Sequence, residues 1–187
     1  MSGALAGRIA GALGAAGALA GAPIPTPIGV TPAYKLPAHG PAAAAGLPVG
    51  SLSCSVSAPV RFRAHLELFA RKLVLLVPAG VGIAPPLSRD GAYVRGGRCA
   101  YPLRTREPTG VVEVGRAGLT VGDLFRVWGQ PLSPTRLAGF RGRVAAFVNG
   151  RRAAGDLRAI PLRKHDEIVL EIGGLVPPHS SYLFPAR

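Results

Sequence analysis

Acidic residues are scarce in this 187-residue chain: 9 Asp and Glu stand against 22 Lys and Arg, a formal net charge of +13. Lysine is scarce as well, occurring only at Lys35, Lys72 and Lys164, so the basicity is nearly all arginine. Such a protein is drawn to anionic polymers, whether nucleic acid, anionic lipid or wall polymer. No Lys/Arg run is interleaved with aromatics and no nucleic-acid motif is present, which favours a generic basic surface over a dedicated nucleic-acid site. Catalytic signatures are missing too. Gly80-x-Gly82 lacks the rest of a dinucleotide fingerprint, there is no Gly-Lys-Ser/Thr phosphate loop, and Ser180-Ser181 beside His179 has no Gly-x-Ser-x-Gly context. Cysteine is limited to Cys54 and Cys99, and neither sits in a Cys/His arrangement that would make a nucleophile. In an exported protein the two pair as a disulfide; in a reducing cytosol they stay as buried thiols. No internal repeat is evident.

Glycine (26), proline (19) and an Ala-rich first fifty residues raise the apolar fraction without supplying large side chains, so the core has to come from the Val, Leu, Ile and Phe after residue 60. The length fits one domain plus a tail. Residues 1–20 read as an export signal, with Arg8 as its positive start, an uncharged stretch from Ile9 to Ala20, and a small-x-small cleavage site at Ala18-Leu19-Ala20. An uncleaved anchor and a disordered cytosolic tail are the alternatives, but the segment is too poor in Leu, Ile and Phe for a good membrane span. Residues 21–52, with prolines at 23, 25, 27, 32, 37, 41 and 48, read as a disordered linker that leaves His39 exposed. Residues 53–187 form the single expected domain.

Within that domain Val60, Phe62, Ala64, Leu66 and Leu68 alternate with Arg61, Arg63, His65 and Glu67, which predicts a strand with the charged side chains on one face. Ala70-Arg71 turns the chain into a second strand, Leu73 to Val77, and residues 84–98 read as a loop. The stretch from Cys99 to Val114 repeats the alternation as Arg104-Thr-Arg106-Glu107 and ends in a short strand, Val111 to Val114, that carries Glu113. Thr120 and Asp123 have capping-box spacing, and Val121, Leu124, Phe125 and Trp128 form an apolar helical stripe that Gly129 ends. A strand from Arg143 to Val148, the hairpin signal Asn149-Gly150, a polar turn at Lys164 to Glu167 and a last strand from Ile168 to Ile172 follow. His165-Asp166-Glu167 reads as a solvated acid patch, and the tail around Tyr182-Leu-Phe184-Pro is expected to pack back on the sheet. This order predicts an α+β, β-grasp-like domain with a small mixed or antiparallel sheet and one main helix; a β-sandwich with one helix is the alternative.

At these residues the chain resembles a family of exported bacterial and archaeal proteins to which no activity is assigned. The family pattern is a cysteine, His-x-His-x-His-Leu on a strand, a second cysteine, His-Thr-His-Asp, Gly-Ile-Ile-His-Ile-Glu, a Thr-Leu-Gly-x-Phe-Phe-x-x-Trp-Gly helix, and a closing Asn-Gly and Pro-Phe. The matches here are Cys54, His65-Leu66, Pro78 to Ile83, Cys99, Gly110 to Val114, Thr120 to Gly129, Val148-Asn-Gly150, Gly155-Asp156, Ile160-Pro-Leu162 and Phe184-Pro185, spread over residues 50–187. The family's alternating histidines look like a transition-metal site. Here Arg61, Arg63, Arg104, Arg106 and Glu113 replace them, Glu107 stands for an aspartate, and only His65 remains. Guanidinium stays protonated and does not ligate metals, so the resemblance implies a degenerate site.

The two charged runs are expected to meet in space. Three readings follow for Arg61, Arg63, His65, Arg104 and Arg106: a salt-bridge network with Glu67, Glu107 and Glu113, an anion clamp for carboxylate or phosphate, or a residual metal site at His65 with the acids. The expectation is an exported binding or structural module, with no cofactor, a Cys54–Cys99 disulfide, and an anionic polymer or the cell envelope as partner.

Overall fold

The computed structural model describes residues 33–71, 73–174 and 176–185; the expected signal and the start of the expected linker lie outside them. The main sheet has eight strands: β1 (Ala33–Lys35), β2 (Phe62–Ala70), β3 (Leu73–Leu76), β4 (Leu103–Thr105), β5 (Val111–Val114), β6 (Val144–Val148), β7 (Arg151–Arg152) and β8 (Glu167–Ile172). Two α-helices accompany it, α1 (Pro41–Ala45) and α2 (Val121–Trp128). The order across the sheet is β1-β3-β2-β8-β6-β7, with β5 pairing the first half of β2 and β4 pairing β5. The hairpin β2–β3, the helix α2, and then β6 and β8 with β8 parallel to β2 at the centre make the expected β-grasp-like α+β arrangement.

Alternation decides what each face buries. Ala64, Leu66 and Leu68 of β2, Val112 and Val114 of β5, and Ile168, Leu170 and Ile172 of β8 share one core with Val121, Leu124, Phe125 and Trp128 of α2. Each large side chain removed from water there contributes about 1.5–3 kcal/mol. Trp128 is fully buried as a core anchor, and its indole N–H donates to the Pro37 carbonyl at 2.7 Å. Thr120 and Asp123 close the expected capping box, and Gly129 ends α2 in the left-handed region. At the β6–β7 turn Asn149 (φ 51°) and Gly150 (φ 76°) both take positive φ, as a two-residue hairpin loop requires.

Three segments differ from the sequence reading. From Ala33 onward the proline-rich stretch is part of the fold: β1 pairs parallel with β3, and Leu36, Ala43 and Leu52 are buried in the main core. Pro41 begins α1, alanines continue it, and Gly46 closes it, so the composition that reads as a linker also suits one short helix. The N-terminal end of α1 packs so tightly on the C-terminal end of α2 that a Cβ on Gly129 would lie 2.5 Å from the Gly40 Cα. His39 is half-buried, with Nε2 donating to the Ile83 carbonyl at 2.9 Å. Residues 84–98 hold a small hairpin, Ser88–Asp90 with Tyr93–Gly96, turned at Gly91 (φ 56°) and braced by an Arg95–Asp90 ion pair. Asp166 and Glu167 are not a solvated patch; both are buried, because Glu167 begins the central strand β8.

Cys54 and Cys99 form a disulfide with their Cα atoms 5.5 Å apart, which ties the segment before β2 to the one before β4 and fits an oxidising compartment. Among the described residues no helix is long and apolar enough to cross a membrane.

The capping box has a pH signature. Burial pushes the Asp123 carboxyl up, but hydrogen bonds from Arg126 and Thr120 outweigh it and hold the pKa below its ordinary value. A carboxylate depressed in the folded state stabilises above its unfolded pKa of about 4, and that contribution is lost as pH falls through the folded value. Asp123→Asn is expected to cost about 1 kcal/mol at neutral pH and to flatten the loss of stability below about pH 4, both read by urea unfolding across pH.

Candidate functional site

The second face of the sheet carries the charged residues, and strand register sorts them into two clusters. In the first, Arg63 of β2 lies opposite Glu113 of β5, which lies opposite Arg104 of β4. Arg104 Nε donates to Glu113 Oε2 at 2.8 Å, and its Nη2 donates to the Ala58 carbonyl at 2.7 Å. Arg106 Nε reaches both Glu113 oxygens, at 3.1 and 2.9 Å, while its Nη1 donates to the Val94 carbonyl and the guanidinium lies over the Tyr93 ring. The Arg104 side chain is only 3% exposed and that of Glu113 12%, so this is a largely desolvated network. Arg63 is half-buried and lines a narrow cleft with Arg106, Glu107, Val111 and Glu113. Arg61 is exposed beyond the strand end. The two charged runs therefore meet, and Glu113 with backbone carbonyls takes up most of the N–H groups that Arg104 and Arg106 offer.

The second cluster grows from the parallel pairing of β2 and β8, which puts His65 opposite Glu167, with Glu67 two residues on along the same face. His65 is 0% exposed, and Glu67 and Glu167 are each 1% exposed. His65 Nε2 lies 2.7 Å from the Thr109 carbonyl, which can only accept, so Nε2 carries a hydrogen. Nδ1 lies 2.7 Å from Glu167 Oε2, close enough to share a proton. The ligating atoms of His65, Glu67 and Glu167 all fall within 4.8 Å of one another. Burial pushes the Glu167 carboxyl above the usual range; His65 draws it back in part, Glu67 pushes it further up, and His179 offsets some of that. Gly110 is required here: at φ 80° its backbone comes so close that a Cβ would meet the Leu66 carbonyl oxygen at 2.4 Å and His65 Nε2 at 2.9 Å.

The C-terminal tail covers this cluster. Tyr182 stacks on His65 with ring centres 3.7 Å apart, Phe184 stands edge-on to Tyr182 and stacks on His165, and His179 Nδ1 lies 2.7 Å from Glu67 Oε2. The sequence reading expected the tail to return to the sheet but missed His179 and Glu167 as members of a site. Parity could have found Glu167: with Ile168, Leu170 and Ile172 on the core face, Glu167 and Glu171 belong on the other. Nothing periodic marks His179.

The arginine network yields a stability test. Arg104→Met leaves Glu113 short of a partner and the Ala58 carbonyl without its donor, and is expected to cost about 3 kcal/mol in urea unfolding. The double variant Arg104→Met/Glu113→Leu is expected to lose less than the sum of the two single changes; additive losses would mean that the pair is not coupled.

Compared with protein-family models, with curated proteins and with solved structures, the chain matches none.

Proposed function

We propose that the protein is an exported binding module that engages an anionic polymer of the cell envelope through exposed arginines, while Arg104 and Arg106 brace the fold from inside. One observation carries this reading, the allocation of the acids. Of the 9 acidic residues, Glu67, Asp166, Glu167 and Glu171 are buried. Asp90, Glu113, Asp123 and Asp156 are bound to arginines, and Glu107 shares a cleft with Arg63 and Arg106. Negative charge is thus buried or paired with arginine, Asp90 and Asp156 at the surface, and the unpaired charge that faces solvent is basic.

Exposed basic residues recur on and around β6 and β7. Arg136 and Arg141 pair across a small antiparallel meander, Arg143 precedes β6, Arg151 and Arg152 form the edge strand, and Arg163 and Lys164 lead toward β8; all seven are exposed. Guanidinium suits phosphate, sulfate and carboxylate because its fork donates two parallel hydrogen bonds. A flexible polymer with repeated anionic groups matches such a spread of donors better than one small anion does. The disulfide supports the exported setting.

Titration of the full chain with labelled polyphosphate is expected to give an affinity that falls linearly on a log–log plot against salt. Arg151→Glu and Arg152→Glu are each expected to weaken binding by at least about fivefold, roughly 1 kcal/mol per charge, whereas Arg104→Met leaves binding unchanged and alters stability alone. Binding indifferent to both salt and the edge substitutions would contradict the proposal.

A further inference from the structure

Beneath the C-terminal tail, two imidazoles and two carboxylates from three separate parts of the chain come together, with His65, Glu67 and Glu167 buried and His179 one-third exposed. We propose that His65, Glu67 and Glu167, with His179 of the tail as fourth donor, bind a divalent first-row transition ion, for which zinc is the best match. The site goes beyond the polymer-binding reading and shares no residue with it.

Convergence is the first support. The donor atoms of His65, Glu67 and Glu167 lie within 4.8 Å of one another, and His179 Nδ1 is 2.7 Å from Glu67 Oε2. Donors held at about 2.0–2.2 Å from one ion stand about 3.4 Å apart in a tetrahedron. The hydrogen-bonded pairs therefore need to open by about 0.7 Å, and the widest pair among His65, Glu67 and Glu167 to close by up to about 1.4 Å, which side-chain rotations accomplish.

An orphaned atom is the second, independent support. Glu167 Oε1 is buried and has no hydrogen-bond partner among the described residues, although Glu167 itself is 1% exposed. A buried carboxylate oxygen without a donor is costly, and a cation in the gap supplies what it lacks. The orientation of His65 is the third support. A metal-binding histidine commonly donates its other ring N–H to a carbonyl, which fixes the tautomer and aims the free lone pair at the ion. His65 Nε2 donates to Thr109 at 2.7 Å, Gly110 allows that approach, and Nδ1 faces the carboxylates.

The donors select the class of ion. Calcium and magnesium call for six or more oxygens, and copper(I) prefers sulfur. Two nitrogens and two carboxylate oxygens suit zinc in its four-coordinate form, and two carboxylates neutralise its charge. Four protein donors fill a tetrahedral ion's coordination, so the ion's role is structural: it pins the tail to the sheet, because His179 lies on that tail.

The test uses the full chain stripped with a chelator and then titrated with zinc alone against a competing chromophoric chelator. One zinc per chain is expected, with a rise in Tm on loading and a four-coordinate absorption spectrum when cobalt(II) replaces zinc. Glu167→Gln and His179→Ala are each expected to weaken zinc binding by on the order of 100-fold, while His165→Ala leaves it unchanged. Circular dichroism confirms that each variant is folded, and Glu67→Gln replaces Glu167→Gln if that one is not. Substoichiometric uptake, or uptake that survives the glutamate substitution, overturns the site. Loss in the glutamate variant with none in His179→Ala overturns the tail's part in it.

Discussion

The parallel pairing of β2 with β8 sets residue 65 opposite residue 167, and from that one register the rest of the molecule can be traced. It aligns Leu66 with Ile168 and Leu68 with Leu170 on the face that α2 covers. By the same two-residue period it aligns His65 with Glu167 on the opposite face. A shift by one residue would turn the polar set into the helix core, so the burial of leucines on one side and of charge on the other are a single specification.

The polar face then has to be satisfied, and the chain does this in two ways. Near β4 and β5, arginines reach Glu113 and nearby carbonyls, so positive charge is drawn inward and neutralised. Near β8, His65 and His179 answer Glu67 and Glu167, and the tail closes over them with Tyr182. Apolar contacts continue this cover: Phe69, Val74 and Val169 form a small second core against Leu76, Phe147 and Val176. Glu113, Glu67 and Glu167 are taken up in these internal contacts, while arginines such as Arg151 and Arg152 face solvent. A basic exterior and a charge-bearing interior are two aspects of one allocation.

Much of this was legible in the sequence. The alternation around His65 marked β2, Thr120 and Asp123 marked the start of α2, and Asn149-Gly150 marked a hairpin. The two cysteines could be read as a disulfide before any fold was known. These signals are local, and local spacing fixes them. What stayed hidden depends on distance along the chain. No residue near His65 announces that its neighbour is 102 positions away, and the tail that carries His179 has neither period nor cap. The stretch before residue 53 misled because proline and alanine serve an extended linker and a short capped helix equally well; only contact with α2 decides between them. Of the arginines in the two alternating runs, Arg104 and Arg106 reach Glu113 while Arg61 stays exposed, a division that depends on the sheet register and not on local spacing.

The central claim is that the tail seals a polar sheet face that cannot stand open, and the most direct test is urea unfolding of a chain truncated after Gly174 beside the full chain. Loss of Tyr182 stacking, of the His179–Glu67 pair and of the cover on Phe69 and Val169 is expected to remove at least about 3 kcal/mol. A truncated chain within about 0.5 kcal/mol of the full one would contradict the account.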